Sequence, residues 1–157
     1  MKALLQRVAH ASVVVREDVG DSEGIRESVV GEIGPGILVF VGIEIKDKDD
    51  SAALVQWMAR KILGLRIFPD ADKPMNCSVV DIAGQLLVVS QFTLAADTSR
   101  GKRPGFSTAA EPQLAEKIYQ HLVDELSRTM SIETGKFGAD MQVHLVNDGP
   151  VTFMLER

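Results

Sequence analysis

Apolar residues fall along this chain in three rhythms: alternation, short unbroken runs, and recurrence every three or four positions. Ala3 to Val15 reads as a strand. Val29-Val30-Gly31-Glu32-Ile33 can return along it as a hairpin partner, with Gly20, Asp21 and Gly24 supplying turn chemistry. Gly34-Pro35-Gly36 is a turn, and Ile37-Leu38-Val39-Phe40-Val41 is a continuous apolar run of strand length, as expected of a strand buried on both faces. From the N-cap residues Asp49-Asp50-Ser51, the positions Leu54, Trp57, Met58, Ile62 and Leu65 recur at helical spacing, with Gly64 as a stop. Leu86-Leu87-Val88-Val89 is another strand-like run. Pro112 opens a second amphipathic helix, with Leu114, Ile118, Leu122, Leu126 and Met130 at every fourth residue. In the tail, Met141, Val143 and Leu145, then Val151, Phe153 and Leu155, alternate with other residues. Two strands are therefore expected to flank a tight connection at Asn147-Asp148-Gly149-Pro150. No repeat, low-complexity tract or linker interrupts the pattern, which reads as one α+β domain.

Composition narrows the class without naming a function. A chain of 157 residues can bury a substantial core without staples. The single cysteine, Cys77, excludes an internal disulfide and a CxxC metal site, and suits a reducing compartment. The opening residues are broken by polar side chains before any apolar run could serve as a signal peptide. No later run approaches membrane-spanning length, so a cytoplasmic protein without membrane association is expected.

The common catalytic constellations are missing: there is no Gly-x-Ser-x-Gly elbow, His-x-x-x-His pair or phosphate-binding glycine loop. His10, His121 and His144 read as surface or packed histidines, and Cys77 as a small buried hydrophobe. Two other segments stand out, Ser90-Gln91-Phe92-Thr93-Leu94 after the fourth apolar run and Asn147-Asp148-Gly149-Pro150-Val151-Thr152 near the C-terminus. The hydroxyls of Ser90 and Thr93 invite a nucleophilic esterase reading, which requires a base within hydrogen-bond reach. Taken alone, the first segment is a strand end and turn with Phe92 in the core, and the second an ordinary turn.

Together the two segments resemble the signature motifs of the D-aminoacyl-tRNA deacylases. Leu5-Gln6-Arg7-Val8, the stretch from Arg60 to Phe68 and Gly138-Ala139-Asp140-Met141-Gln142-Val143 are similar to further family segments, in the right order over nearly the whole chain. The polar stretch from Glu17 to Ser28 is longer than the family leads one to expect at that hairpin. The resemblance implies a single compact α+β domain over residues 1–157. Mostly antiparallel sheet would form a barrel-like roll with two main helices, assembled as a homodimer.

It also implies a reaction: hydrolysis of the ester of D-aminoacyl-tRNA, and of mischarged glycyl-tRNA, with no metal or organic cofactor. With Ser90 opening the catalytic motif, main-chain groups around Gln91, Phe92 and Thr93 would face the ester and the terminal adenosine, and the neighbouring ribose hydroxyl would contribute the chemistry. Gly149 and Pro150, joined by a cis peptide, would reach into the partner subunit's site and exclude L-amino acids by clash. Arg7 would hold that dipeptide and Met141 would lie near the substrate; Arg7 paired with a surface carboxylate is the plainer alternative. Two other functions stay open: an esterase with Thr93 or Ser90 as nucleophile, and a nucleic-acid or nucleotide-binding module without turnover. The net charge of −5 opposes broad nucleic-acid binding, and DNA is not an expected partner. Gripping only the aminoacylated 3′ end of tRNA needs a local cation cluster. Arg100, Lys102 and Arg103 supply one, unless they are simply a solvated loop.

Overall fold

The computed structural model describes residues 1–18, 25–49 and 51–157. Strand β1 (Lys2–Asp18) is the spine. Its first half pairs antiparallel with β3 (Gly36–Gly42) and its second half with β2 (Ile25–Ile33). Its opposite edge takes β6 (Met141–Glu156), also antiparallel. Beyond β3 come β4 (Gln85–Ser90) and β5 (Ile132–Thr134), each parallel to its neighbour. The sheet is therefore mixed: mostly antiparallel, as expected, with parallel pairings only at β3–β4 and β4–β5. The reason lies in the connections: α1 (Ser51–Gly64) sits between β3 and β4, and α2 (Pro112–Ser127) between β4 and β5. Such helical crossovers return the chain in parallel. The sheet curls until Gly31 of β2 lies against the Thr134 carbonyl of β5, nearly closing a barrel.

β3 is buried on both faces, as its unbroken apolar run predicts. Ile37, Val39 and Val41 join the larger core, formed with Leu54, Met58 and Ile62 of α1 and Ile118, Leu122 and Leu126 of α2. Leu38 packs on the opposite face with Val8, Val13, Leu87 and Val89 inside the curl. Leu65 and Met130 lie past the ends of the helices they were assigned to, and Pro112 is the first residue of α2. Cys77 is half-buried against the larger core. The expected turn at Gly20, Asp21 and Gly24 and the cap at Asp50 fall outside the described residues. No helix of the described residues is long and apolar enough to cross a membrane.

An ion cluster closes one end of the spine. The fully buried Met1 ammonium donates to Asp47 Oδ1 at 2.6 Å, to Glu44 Oε2 at 3.3 Å and to the Arg157 carbonyl at 2.9 Å. Burial raises the Glu44 carboxyl, but the ammonium and Lys46 outweigh it and hold the group below its ordinary value.

The tail departs from expectation. Asn147-Asp148-Gly149-Pro150 does not link two strands; it is a bulge within β6, because both halves of β6 run along the same edge of β1 in the same direction. Gln6 pairs with Thr152 and Val8 with Asn147, so Arg7 alone faces residues 148–151. The Asn147 side chain spans the bulge, accepting from the Val151 N–H at 3.0 Å and donating to the Val151 carbonyl at 3.3 Å and Thr152 Oγ1 at 3.2 Å. These bonds replace ladder pairing where Pro150 has no donor to give.

Candidate active site

At its C-terminal end β4 delivers the first motif into a short 3-10 turn, Phe92–Ala95. The Gln91 N–H is engaged by the Val41 carbonyl at 2.7 Å, and the Gln91 carbonyl accepts from the Leu94 N–H at 3.2 Å. A Cβ at Gly42 would stand 2.8 Å from the Leu94 Cβ and 3.0 Å from the Gln91 carbonyl, so only glycine lets β3 approach this turn. The N–H groups of Phe92 and Thr93 open the turn and find no acceptor among the described residues.

Ser90, Gln91 and Phe92 form one wall of a cleft of about 610 Å³. Met141 and Val143 of β6, Phe106, and the start of α2 from Glu111 to Tyr119 complete it. Phe92 is 59% exposed rather than in the core, and its ring stacks on Phe106 at 5.0 Å between centroids, tilted by 52°. At the cleft's inner wall the Tyr119 hydroxyl donates to the Val88 carbonyl at 2.8 Å, and burial pushes the phenol up to about 12. Phe137 packs on that ring at 5.8 Å.

Thr93 lies just outside the cleft lining, exposed, and its hydroxyl is hydrogen-bonded to the Gln91 side-chain amide at 2.6 Å. None of the three histidines lines the cleft; its titratable side chains are Glu111, Tyr119 and Asp140. Among the described residues no group of three His, Cys, Asp or Glu side chains could hold a metal ion.

The second motif lies apart from this cleft. Gly149 and Pro150 are exposed, joined by a cis peptide, and absent from its walls. Arg7, itself buried, donates from Nη1 to the Ile67 carbonyl at 2.6 Å. Its Nε faces both the Asp148 carbonyl at 3.3 Å and the Asp148 carboxylate at 2.9 Å. Of the residues singled out in the sequence, Ser90, Gln91, Phe92 and Met141 thus share one cleft, while Arg7, Gly149 and Pro150 form a second cluster. Phe106, Glu111, Tyr119 and Phe137 were missed. Phe106 carried a faint signal as the first aromatic beyond the cationic run, and the others carried none.

The whole chain finds counterparts among known proteins. The D-Tyr-tRNA(Tyr) deacylase family model matches residues 4–156. A D-aminoacyl-tRNA deacylase of Enterobacter sp. (strain 638) is 51% identical over 157 residues, covering 99% of each chain. One from Pelobacter propionicus is 49% identical over 158 residues, covering 100% of both. A solved structure described as "c-Myc DNA Unwinding Element Binding Protein" aligns with a TM-score of 0.85 at 40% identity, covering 100% of this chain and 99% of that one. Another, "Structural Analysis of a probable eukaryotic D-amino acid tRNA deacylase", aligns at 0.76 and 16% identity over 98% and 97%, which is a likeness of fold. With the family model and full-length relatives in agreement, the chain belongs to the D-Tyr-tRNA(Tyr) deacylase family.

Proposed function

We propose that this protein hydrolyses the ester joining a D-amino acid, or glycine, to the terminal ribose of tRNA. Water adds to the ester carbonyl, the bond to the ribose oxygen breaks, and a free amino acid and intact tRNA leave. The observation that carries this reading is the turn at Phe92 and Thr93. It presents two backbone N–H groups that find no acceptor among the described residues, beside a cleft that has no histidine on its walls. Such donors stabilise the oxyanion of an adding water, and the adjacent ribose hydroxyl assists proton transfer, so no side-chain nucleophile is needed. The Gln91 N–H is engaged by Val41 and takes no part.

Gly149 and Pro150 supply the chiral filter in this reading. They stand exposed and away from the cleft of their own chain, so they act on the cleft of a second copy in a homodimer. Val146, Phe153 and Met154, exposed on the same strand, offer apolar surface for that association. With the amino group and ester carbonyl fixed, an L side chain is driven against the Gly149-Pro150 backbone while a D side chain points clear. Selection by clash leaves the D side chain unread, so many D-aminoacyl-tRNAs and glycyl-tRNA are substrates. Acting on charged tRNA places the protein in the cytoplasm.

A second reading, a nucleic-acid-binding module without turnover, is favoured only by the description of the 40% identical structure as a DNA-element-binding protein. One experiment separates the two: amino acid release from D-tyrosyl-, L-tyrosyl- and glycyl-tRNA, with protein far below substrate concentration. Multiple turnovers on the D and glycyl esters with the L ester spared are expected. Equal cleavage of D and L discards the filter, and absence of turnover discards the hydrolase.

A further inference from the structure

Immediately after the catalytic turn the chain makes a closed loop whose position suits it to a second task. Asp97 and Gly105 pair as a two-bond neck, Asp97 N–H to the Gly105 carbonyl at 2.8 Å and Gly105 N–H to the Asp97 carbonyl at 2.9 Å. The Asp97 carboxylate accepts from the Ser99 N–H at 2.9 Å, fixing the first bend, and Gly101 takes a left-handed conformation at φ +70. At one foot of the loop, Thr108 donates to the Ala95 carbonyl. The loop is thus anchored at its base while its tip carries Arg100, Lys102 and Arg103, all exposed. Among the described residues none of the three forms an ion pair, in a chain whose net charge is −5. Phe106 follows the neck directly, and its ring, 43% exposed, stacks with Phe92 on the cleft wall.

An exposed aromatic pair beside three unpaired cations is the combination that holds single-stranded nucleic acid: rings take base faces and cations take the backbone. We infer that the loop between Asp97 and Gly105 is a phosphate grip for the single-stranded 3′ end of the substrate, with Phe92 and Phe106 as its base platform. The inference rests on the hydrolase reading above. The net negative charge of the chain disfavours broad cation-driven binding, and with the strand held at this loop the acyl end enters the cleft. Three cations suffice for the few phosphates that precede the terminal nucleoside.

The test compares two esters of D-tyrosine: D-tyrosyl-tRNA, and D-tyrosyl-adenosine, which has the reacting bond but no phosphate. Arg100→Gln, Lys102→Gln and Arg103→Gln, singly and together, are assayed with both across salt. For the tRNA ester, the slope of log kcat/KM against log salt should fall by roughly 0.7 per cation removed, about 2 for the triple change. Raising salt fourfold should then cost the unmodified protein on the order of tenfold more than the triple variant, through KM and not kcat. D-tyrosyl-adenosine should be cleaved alike by all forms. An unchanged salt slope, or an equal loss on both esters, overturns the grip. Failure of the unmodified protein to cleave either ester overturns the hydrolase reading instead.

Discussion

Arg7 Nε stands 2.9 Å from the Asp148 carboxylate and 3.3 Å from the Asp148 carbonyl, while its Nη1 holds the Ile67 carbonyl at 2.6 Å. Asp148 is half-exposed, so its charge contributes little on its own. The weight lies in a planar fork that ties the segment after α1 to the bulge of β6 at once, which a lysine ammonium cannot copy. Arg7→Lys should leave the fold intact, lower Tm modestly, and reduce D-tyrosyl-tRNA cleavage by roughly 1–3 kcal/mol of transition-state stabilisation, about five- to 150-fold. Activity equal to the unmodified protein would show that Arg7 is only a surface partner of Asp148.

Gly149 adopts φ +117, and a Cβ there would sit 2.7 Å from the Val151 Cγ2 and 3.0 Å from Arg7 Nη2. Gly149→Ala should destabilise the bulge by more than about 1 kcal/mol, readable as a lower urea midpoint. If the proposed filter holds, it should also disturb D-over-L selection, because the Gly149-Pro150 backbone has to shift. Intact selection with a lowered midpoint would make the glycine structural and nothing more.

The Thr93 hydroxyl accepts from the Gln91 side-chain amide and, among the described residues, has no hydrogen bond to a titratable side chain. Thr93→Ala should therefore keep kcat within about tenfold, since loss of a true nucleophile costs roughly 10⁴-fold or more. Burst kinetics from an accumulating acyl-enzyme would point to Thr93 or Ser90 after all.

Glu44 gives a pH signature unrelated to catalysis. Its carboxyl is held below the ordinary 4.5, despite burial, by the Met1 ammonium and Lys46. The stabilisation is fully present above the unfolded value and is lost as pH falls through the folded one. Urea midpoints across pH should show Glu44→Gln less stable than the unmodified protein at neutral pH, the gap closing as pH falls through the lowered folded-state value on the acid side of 4.5. A constant gap at every pH would remove the ion cluster as its source.

The parts of this molecule legible in the sequence are those with a long, regular signal. The stripe from Leu114 to Leu126 gave α2, and the run from Ile37 to Val41 gave a strand covered on both sides. β5 went unread because Ile132-Glu133-Thr134 is too short for any period to register, and with it went the parallel pairing of β4 with β5. The single strand β6 was divided in two because Asn-Asp-Gly-Pro has the composition of a turn, whereas the side chain of Asn147 carries pairing across it. Phe92, expected in the core, is exposed because its partner Phe106 lies 14 positions away across a loop that no local pattern describes. The motif itself could be found in the sequence, but Tyr119 reaches the cleft through the packing of α2 on β4, and Phe137, in the connection between β5 and β6, through its contact with the Tyr119 ring.

That packing has a further consequence through the bond from the Tyr119 hydroxyl to the Val88 carbonyl. It fastens the helix that walls the cleft to the strand that delivers the Phe92–Ala95 turn, two residues before Ser90. Wall and floor are cast as one piece, a mould that exists before anything is poured into it. The entropy lost on binding then falls on the loose end of the RNA and scarcely on the protein, and a grip outside the mould is where that loss is best offset.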